Sequence, residues 1–373
     1  MPGSEGSPER GRQILLVLVA APEYWQRPLA LLTERLGARF RLLTGDSSWE
    51  PGVRTGVADG PHVSRVRNRF LLGNRLVWQR GAFGPAVRAD VAILDLNPRV
   101  LNTWLVLAVR RALHRPTVLR GHVWSRRGRH SRTEPVRNAQ RRLADVLVTY
   151  TETEAREIRA KKADARVIAA PNALYGRDEL GAAPTTRPPT DFIYVGRLVA
   201  VKKPRLLVEA FLAARDELPP ETRLVLVGDG PERGGLESLA HASHGEDRIR
   251  FVGHLADLEK LRELYAEAIA SVSPGYVGLS LIQSLGFGVP MVISRDEPHA
   301  PEIEAAIENV TSVMFETDSV EDLGRALVTL AREREHWAQR RTELAEFCSE
   351  RYSAESMVDR LVEAVELARA VRP

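Results

Sequence analysis

The chain has a single cysteine, Cys348, and only five lysines among 373 residues. One thiol cannot form an intrachain disulfide, nor can it build a cysteine-ligated zinc site. Long apolar runs are missing too. No stretch reaches the roughly 18–20 apolar residues of a membrane-spanning helix. The run at 14–21, with Arg10 and Arg12 upstream, slightly resembles a signal peptide. It is eight residues long, and Glu23 and Trp25 follow at once, so a buried first strand explains it better. Residues 1–12, MPGSEGSPERGR, have the composition of a disordered tail. These absences fit a reducing compartment and lead us to expect a cytoplasmic protein.

What is present is ordinary in bulk. The chain is 44% hydrophobic and 27% charged, as soluble globular proteins are. That excludes wholesale disorder and a collagen-like repeat. At about 150 residues per domain, the length predicts two domains, or three. Basic residues number 53 and acidic ones 49, for a formal net charge of +4. All but five of the basic residues are arginine. Arginine grips phosphate and carboxylate bidentately and does not deprotonate. A genomic preference for arginine would produce the same skew.

In the first half, short apolar runs at 14–20, 40–43, 91–94, 117–119, 146–149 and 167–169 read as strands, and 28–36 as a helix. The runs are continuous rather than alternating, which marks strands covered on both faces of a parallel sheet. Residues 181–190, GAAPTTRPPT, have no large apolar side chain and read as a linker. A second series follows, with strands at 192–195, 224–227, 249–252, 269–272 and 291–293. Helices are expected at 205–214, 233–241, 258–266 and 279–286, and helical patterning dominates from about 319 to 369. The alternation predicts two doubly wound α/β domains, 13–180 and 191–350, with a cleft between them. Ligands of such sheets sit at the carboxyl ends of strands.

Three stretches at those ends carry the chemistry. In IYVGRLVAVKKP (193–204), a strand ends at Gly196, Arg197 follows, and Lys202 lies in the loop before a helix. Two cations at the mouth of a strand–loop–helix unit suit a diphosphate. A merely solvated helix start is the competing reading, but cations there oppose the helix dipole. In LVLVGDGP (224–231), a strand runs into a turn containing Gly228 and Gly230. With Gly234 the spacing misses the dinucleotide fingerprint by one residue. A plain β-to-α turn explains these glycines as well as ligand contact does. In SVSPGYVGLSLIQSLGFGVPMV (271–292), the loop Gly275, Tyr276, Val277, Gly278 opens a helix near Leu279. Free amides at such a terminus form a phosphate site, and Gln283, one turn in, is placed to reach a ribose hydroxyl.

As a set, these stretches resemble the retaining glycosyltransferases of family 4, well over about 192–305 and in outline elsewhere. The resemblance implies the GT-B architecture, with two Rossmann-like domains facing a central cleft. Residues 13–180 would bind the acceptor, 191–350 the nucleotide-sugar donor, and a helix at 351–373 would cross back to the first domain. It also implies that Arg197 and Lys202 hold the donor diphosphate. The family usually carries two glutamates eight positions apart in the third stretch; here Gly275 and Gln283 stand there. Gln283 can keep a ribose hydrogen bond, whereas Gly275 cannot replace a side chain. Glu302, in a downstream Pro-Glu turn, is a candidate to fill part of that role. In the first domain, His122 follows a short strand where relatives place a histidine facing the transferred sugar. The loop 21–25 has no glycine where relatives often have two, which suggests a different acceptor fit.

Residues 120–142 hold eight arginines and one acid, Glu134. Such a stripe could hold a pyrophosphate-linked acceptor or lie against anionic lipid at the inner membrane face. A solvated basic helix face is the plainer reading. The resulting expectation is a retaining sugar transferase using a nucleoside-diphosphate sugar and needing no other cofactor. Its acceptor would be a saccharide, a lipid-linked compound or a small molecule. No Asp-x-Asp lies between the domains, so no metal is expected. A non-catalytic nucleotide-sugar binder, a sugar-nucleotide epimerase and a nucleic-acid binder are the competing readings. An epimerase needs acid–base carboxylates, of which Glu302 is thin support. A nucleic-acid binder needs interleaved aromatics, and only Trp124 interrupts the stripe.

Overall fold

The structure, a computed structural model, describes residues 13–49, 53–125, 131–185 and 188–372. The tail expected at 1–12 lies outside them, as do Arg126, Arg127 and Arg129 of the stripe. The chain divides into two compact units, Met1–Ala173 with Ala354–Pro373, and Leu174–Ser353. The division therefore comes ahead of the proline-rich segment at 181–190.

The first unit is built on a seven-stranded parallel sheet. Its strands are β1 (Ile14–Ala20), β2 (Phe40–Gly45), β3 (Val63–Arg65), β6 (Val91–Asp95), β7 (Thr117–Arg120), β8 (Val146–Thr149) and β9 (Val167–Ala169). They lie in the order β3-β2-β1-β6-β7-β8-β9. A separate antiparallel hairpin, β4 (Arg67–Leu71) and β5 (Leu76–Arg80), falls between β3 and β6 in sequence. β1 is buried along nearly its whole length, as its unbroken apolar sequence requires. Helix Gln26–Leu36 buries Leu29, Leu32 and Leu36 at helical spacing. It ends at Gly37, whose φ of +58° is costly for residues with a Cβ.

The last helix, Ala354–Val371, belongs to this unit. Met357, Val358, Leu361, Ala364, Val365 and Ala368 are all buried in its core. Charge fixes its end. Arg369 donates twice to Asp90, at 2.6 and 2.9 Å, and Arg372 donates to Asp145 at 2.7 Å.

The second unit repeats the winding on six parallel strands. These are β10 (Asp191–Val195), β11 (Leu224–Val227), β12 (Ile249–Gly253), β13 (Ala268–Ser273), β14 (Met291–Ser294) and β15 (Ser312–Phe315), ordered β12-β11-β10-β13-β14-β15. Proline opens helix Pro204–Ala214, where its missing N–H costs nothing. Asp257 caps helix Leu258–Ala266 by accepting the amides of Glu259 and Lys260. One large apolar cluster runs under this sheet, from Phe192 to Tyr352. No helix among the described residues is long and apolar enough to cross a membrane.

Candidate functional site

In each sheet the winding reverses once. The second unit goes outward from β10 to β11 and β12, then returns to β13 and continues on the other side. Ligands of open α/β sheets bind outside the carboxyl ends of the two strands flanking such a reversal. Two of the three sequence stretches leave β10 and β13 there, and the third leaves the adjoining β11. β10 ends in Gly196 and Arg197. Arg197 is exposed, and its guanidinium has no ion-pair partner among the described residues. Its carbonyl is held instead, accepting the Tyr194 hydroxyl at 2.7 Å.

The turn Ala200–Lys202 follows. Lys202 Nζ donates to the Tyr276 carbonyl at 2.6 Å and lies 4.7 Å from the centre of the Tyr276 ring. Burial, helped by repulsion from Arg197 and opposed by Glu302, lowers its pKa to about 8. Lys203 turns away. Its backbone is left-handed, with φ of +50°, and its Nζ pairs with Glu297 and with Asp318 at 2.6 Å. The adjacent lysines are therefore not one anion site; only Lys202 joins Arg197.

The glycine turn after β11 has a packing task. A Cβ on Gly228 would sit 1.9 Å from the Gly196 carbonyl oxygen, and one on Gly230 would sit 2.3 Å from that of Leu198. Both glycines let the β11 turn press against the β10 turn, which is the turn reading of the motif. Gly275 does the same for the third stretch. A Cβ there would lie 2.6 Å from the Val201 carbonyl oxygen and 2.9 Å from the Lys202 carbonyl carbon. Backbone thus fills the space into which the family's first glutamate would start, and the loop is drawn onto the Lys202 turn.

Past Gly275 the loop is pinned from the far side. The Val277 amide donates to His299 Nδ1 at 3.1 Å, so His299 carries its hydrogen on Nε2, which donates to the Ser294 carbonyl at 2.8 Å. Ala300 donates back to the Val277 carbonyl at 2.9 Å. Burial lowers the His299 pKa, which favours this neutral form. The Val277 amide, expected to face a phosphate, is therefore already committed. Gly278, Leu279 and Ser280 stand at the start of helix Leu279–Gly286. The first amides of a helix have no intrahelical carbonyl. His299 belongs to the segment 299–302 read from the sequence as a Pro-Glu turn, where it carried no role of its own.

Glu302 is buried in the turn Pro301–Ala305, and its Oε2 would lie 3.8 Å from a Cβ on Gly278. It therefore joins Arg197 and Lys202 at this corner. Gln283 does not present a free amide. It is buried; its Nε2 donates to the Tyr175 hydroxyl at 2.5 Å, and its Oε1 accepts the Tyr265 hydroxyl at 3.3 Å. A ribose contact has to use its second N–H or second lone pair.

In the first unit the winding reverses between β1 and β6. A cavity of about 210 Å³ opens there, lined among others by Val19, Trp25, Asp95, Arg120, His122 and Tyr150. Arg120 is 3% exposed, its guanidinium 4.8 Å from the Trp25 ring centre and 4.6 Å from that of Tyr150. It donates to the Tyr150 hydroxyl at 3.3 Å and to Asn172 Oδ1 at 2.8 Å. His122 stacks edge-on against Tyr150 at 4.8 Å, with Nδ1 3.6 Å from Glu154 Oε1. Asp95 lies at the end of β6, and its Oδ2 accepts the Val19 amide at 3.2 Å. Desolvation raises its pKa to about 6 against the pull of that amide and of Arg120.

The described arginines of the stripe differ in exposure. Arg120 and Arg141 are buried, the latter donating to the Val123 carbonyl at 2.7 Å and pairing with Glu134. Arg137 is half-buried and donates to the His122 carbonyl at 3.1 Å. Of the five described arginines in the stripe, Arg132 and Arg142 are exposed. Among the described residues, no three His, Cys, Asp or Glu side chains gather as a metal centre.

Known proteins resemble the chain in sequence and in fold. Residues 182–367 match the profile of the family described as Glycosyl transferases group 1. Among curated proteins, a GDP-mannose-dependent alpha-(1-6)-phosphatidylinositol dimannoside mannosyltransferase of Mycobacterium tuberculosis is 34% identical over 106 residues, 28% of this chain and 26% of the relative. A phosphatidylinositol N-acetylglucosaminyltransferase chain of Arabidopsis thaliana is 29% identical over 199 residues, 46% of this chain and 43% of the relative. The match thus spans less than half the length of either relative. Among solved structures, Anabaena Alr3699/HepE in complex with UDP superposes with a TM-score of 0.64 at 17% identity, over 95% of this chain and 99% of the other. The pneumococcal O-GlcNAc transferase GtfA in complex with UDP and GlcNAc gives 0.64 at 13% identity, over 96% and 99%. At such identities the likeness is one of fold, and that fold is GT-B with two Rossmann-like units.

Proposed function

The chain belongs to the group 1 glycosyl transferases, and from that premise we propose that it moves a sugar from a nucleoside-diphosphate sugar to an acceptor hydroxyl with retention of configuration. The observation that carries the reading is the corner of the second unit where Arg197, Lys202 and the first turn of helix Leu279–Gly286 meet. It offers a guanidinium with no ion-pair partner among the described residues, a loosely protonated amine and helix-start amides. All three stabilise negative charge growing on a departing diphosphate. The bond from the anomeric carbon to the diphosphate oxygen breaks, and the acceptor oxygen bonds to the same face of that carbon. The acceptor's proton passes to the departing oxygen. No covalent nucleophile is needed, and the two cations take the part that a divalent metal plays elsewhere. Glu302 and Gln283 would serve the sugar and ribose, within the limits set by their own partners.

Two measurements test this reading. Thermal-shift titration with UDP, GDP and ADP should raise the melting temperature for at least one of them, since a ligand that binds only the folded state stabilises it. Arg197→Ala should lower transfer by about 10²–10³-fold, the usual loss for one donor aimed at developing charge, with an unchanged melting temperature without ligand. Near-normal turnover in that variant would remove the leaving-group assignment. Nucleotide binding with no transfer to any acceptor would favour the non-catalytic reading, for which the missing glutamate at Gly275 speaks.

A further inference from the structure

The hairpin β4–β5 has two faces, and its own unit uses one of them. On the inner face Val77 and Gln79 are buried, Phe70 packs with Val19 and Val100, and Gln79 donates to the Leu18 carbonyl at 3.0 Å. On the outer face Arg67 stands opposite Arg80, Arg69 opposite Trp78 and Leu71 opposite Leu76. That face is graded along its length. Arginines lie at the base, Arg69 and the half-buried Trp78 in the middle, and leucines at the tip. Like charges directly opposite one another destabilise a strand pair, yet Arg67 and Arg80 are so placed. Arg67, Arg69, Arg75 and Arg80 are exposed and have no ion-pair partner among the described residues, whereas Arg65 nearby pairs with Asp59 at 2.7 Å.

The tip is as unusual as the base. Leu71 is 42% exposed and Leu72 is 72% exposed. Leu72 is left-handed, with φ of +51°, and Gly73 and Asn74 follow it at +61° and +63°. Glycine and asparagine suit such positions; leucine is strained there and gains no burial in return. Arg99 braces the turn by donating to the carbonyls of Asn74 at 2.5 Å and Arg75 at 2.8 Å. We propose that this hairpin docks on an anionic lipid bilayer. Leu71 and Leu72 enter the acyl region, Trp78 sits at headgroup depth, and the four arginines meet lipid phosphates. Indole rings favour that depth, guanidinium grips phosphate bidentately, and exposed leucines gain from leaving water. A nucleic acid would engage the arginines and the indole but not the leucines, so the leucine tip selects lipid. The proposal goes beyond the transferase reading and does not draw on it.

The test is co-sedimentation of the full chain with vesicles of phosphatidylcholine, with and without phosphatidylglycerol, at low and high salt. The wild type should partition at least tenfold more strongly onto the anionic vesicles, and less so at high salt, where surface charges are screened. Leu71→Ser/Leu72→Asn should lower that partition about tenfold or more. Its melting temperature should be unchanged or higher, because asparagine tolerates the left-handed turn. Arg67→Gln/Arg69→Gln should lower the partition about tenfold or more as well, since each cation near an anionic surface is worth about fivefold. Arg132→Gln/Arg142→Gln, at the exposed arginines of the stripe, should change it less than about twofold. No binding of the wild type to anionic vesicles overturns the proposal. So does an equal partition of the leucine variant, which would leave a purely electrostatic surface of the kind that takes nucleic acid. Binding lost in Arg132→Gln/Arg142→Gln and kept in both hairpin variants overturns it too, and moves the contact to the stripe.

Discussion

Lys202 is a residue whose charge depends on its surroundings. With its pKa lowered to about 8, it is cationic below that value and loses its charge as pH rises through it. Diphosphate binding should therefore weaken between about pH 8 and 10, read by UDP or GDP titration. Lys202→Met should bind weakly at every pH and show no such fall. Gly275 makes the opposite point, since here the absence of a side chain matters. Restoring the family's carboxylate as Gly275→Glu should not restore function. The new side chain would start 2.6 Å from the Val201 carbonyl oxygen, and overpacking of that kind costs about 1–3 kcal/mol. The expected outcome is a lower melting temperature and weaker nucleotide binding, with Gly275→Ala close behind.

At the scale of elements, most of the second unit was legible in the sequence. Its strands are short, continuous and apolar, and all but β14 are followed by an α-helix, so period and punctuation agreed. The expected helices at 258–266 and 279–286 match those observed, and the expected strands fall within a residue of theirs. The hairpin β4–β5 was not legible. Its sequences, RNRFL and LVWQR, alternate exposed and sheltered positions and carry charges inside the strands. β15 was lost between a polar turn and the helical pattern that follows it. At the candidate site, Arg197 and Lys202 stood out in the sequence because a cation just before a helix is locally unfavourable. His299 did not, because its role depends on a loop 22 residues away. Among the helices, Ala354–Val371 is held by apolar side chains that are 0–2% exposed. Leu361→Ala should cost about 2–5 kcal/mol, seen in denaturant unfolding as a lower midpoint with little change in slope.

At the scale of the whole molecule, the excess of arginine finds a structural use that net charge concealed. Arg110 is fully buried and donates to the carbonyls of Ala86, Val87, Ala89, Asp90 and Pro116 and to the Thr117 hydroxyl. Arg248 holds the carbonyls of Arg215, Pro219 and Thr222 in the same way. A planar fork with five donors can tie several loop ends at once, which a lysine cannot do. The cations proposed to hold the diphosphate, Arg197 and Lys202, are thus a small minority of the basic residues. The way the units share the chain has a further consequence, in time rather than in space. The first unit is drawn from Met1–Ala173 and from Ala354–Pro373, so a ribosome must make all of the second unit before the first can close. At roughly 5–20 residues per second, the 180 intervening residues take about 10–40 s. Throughout that interval the face that will receive Met357, Leu361 and Val365 stays uncovered.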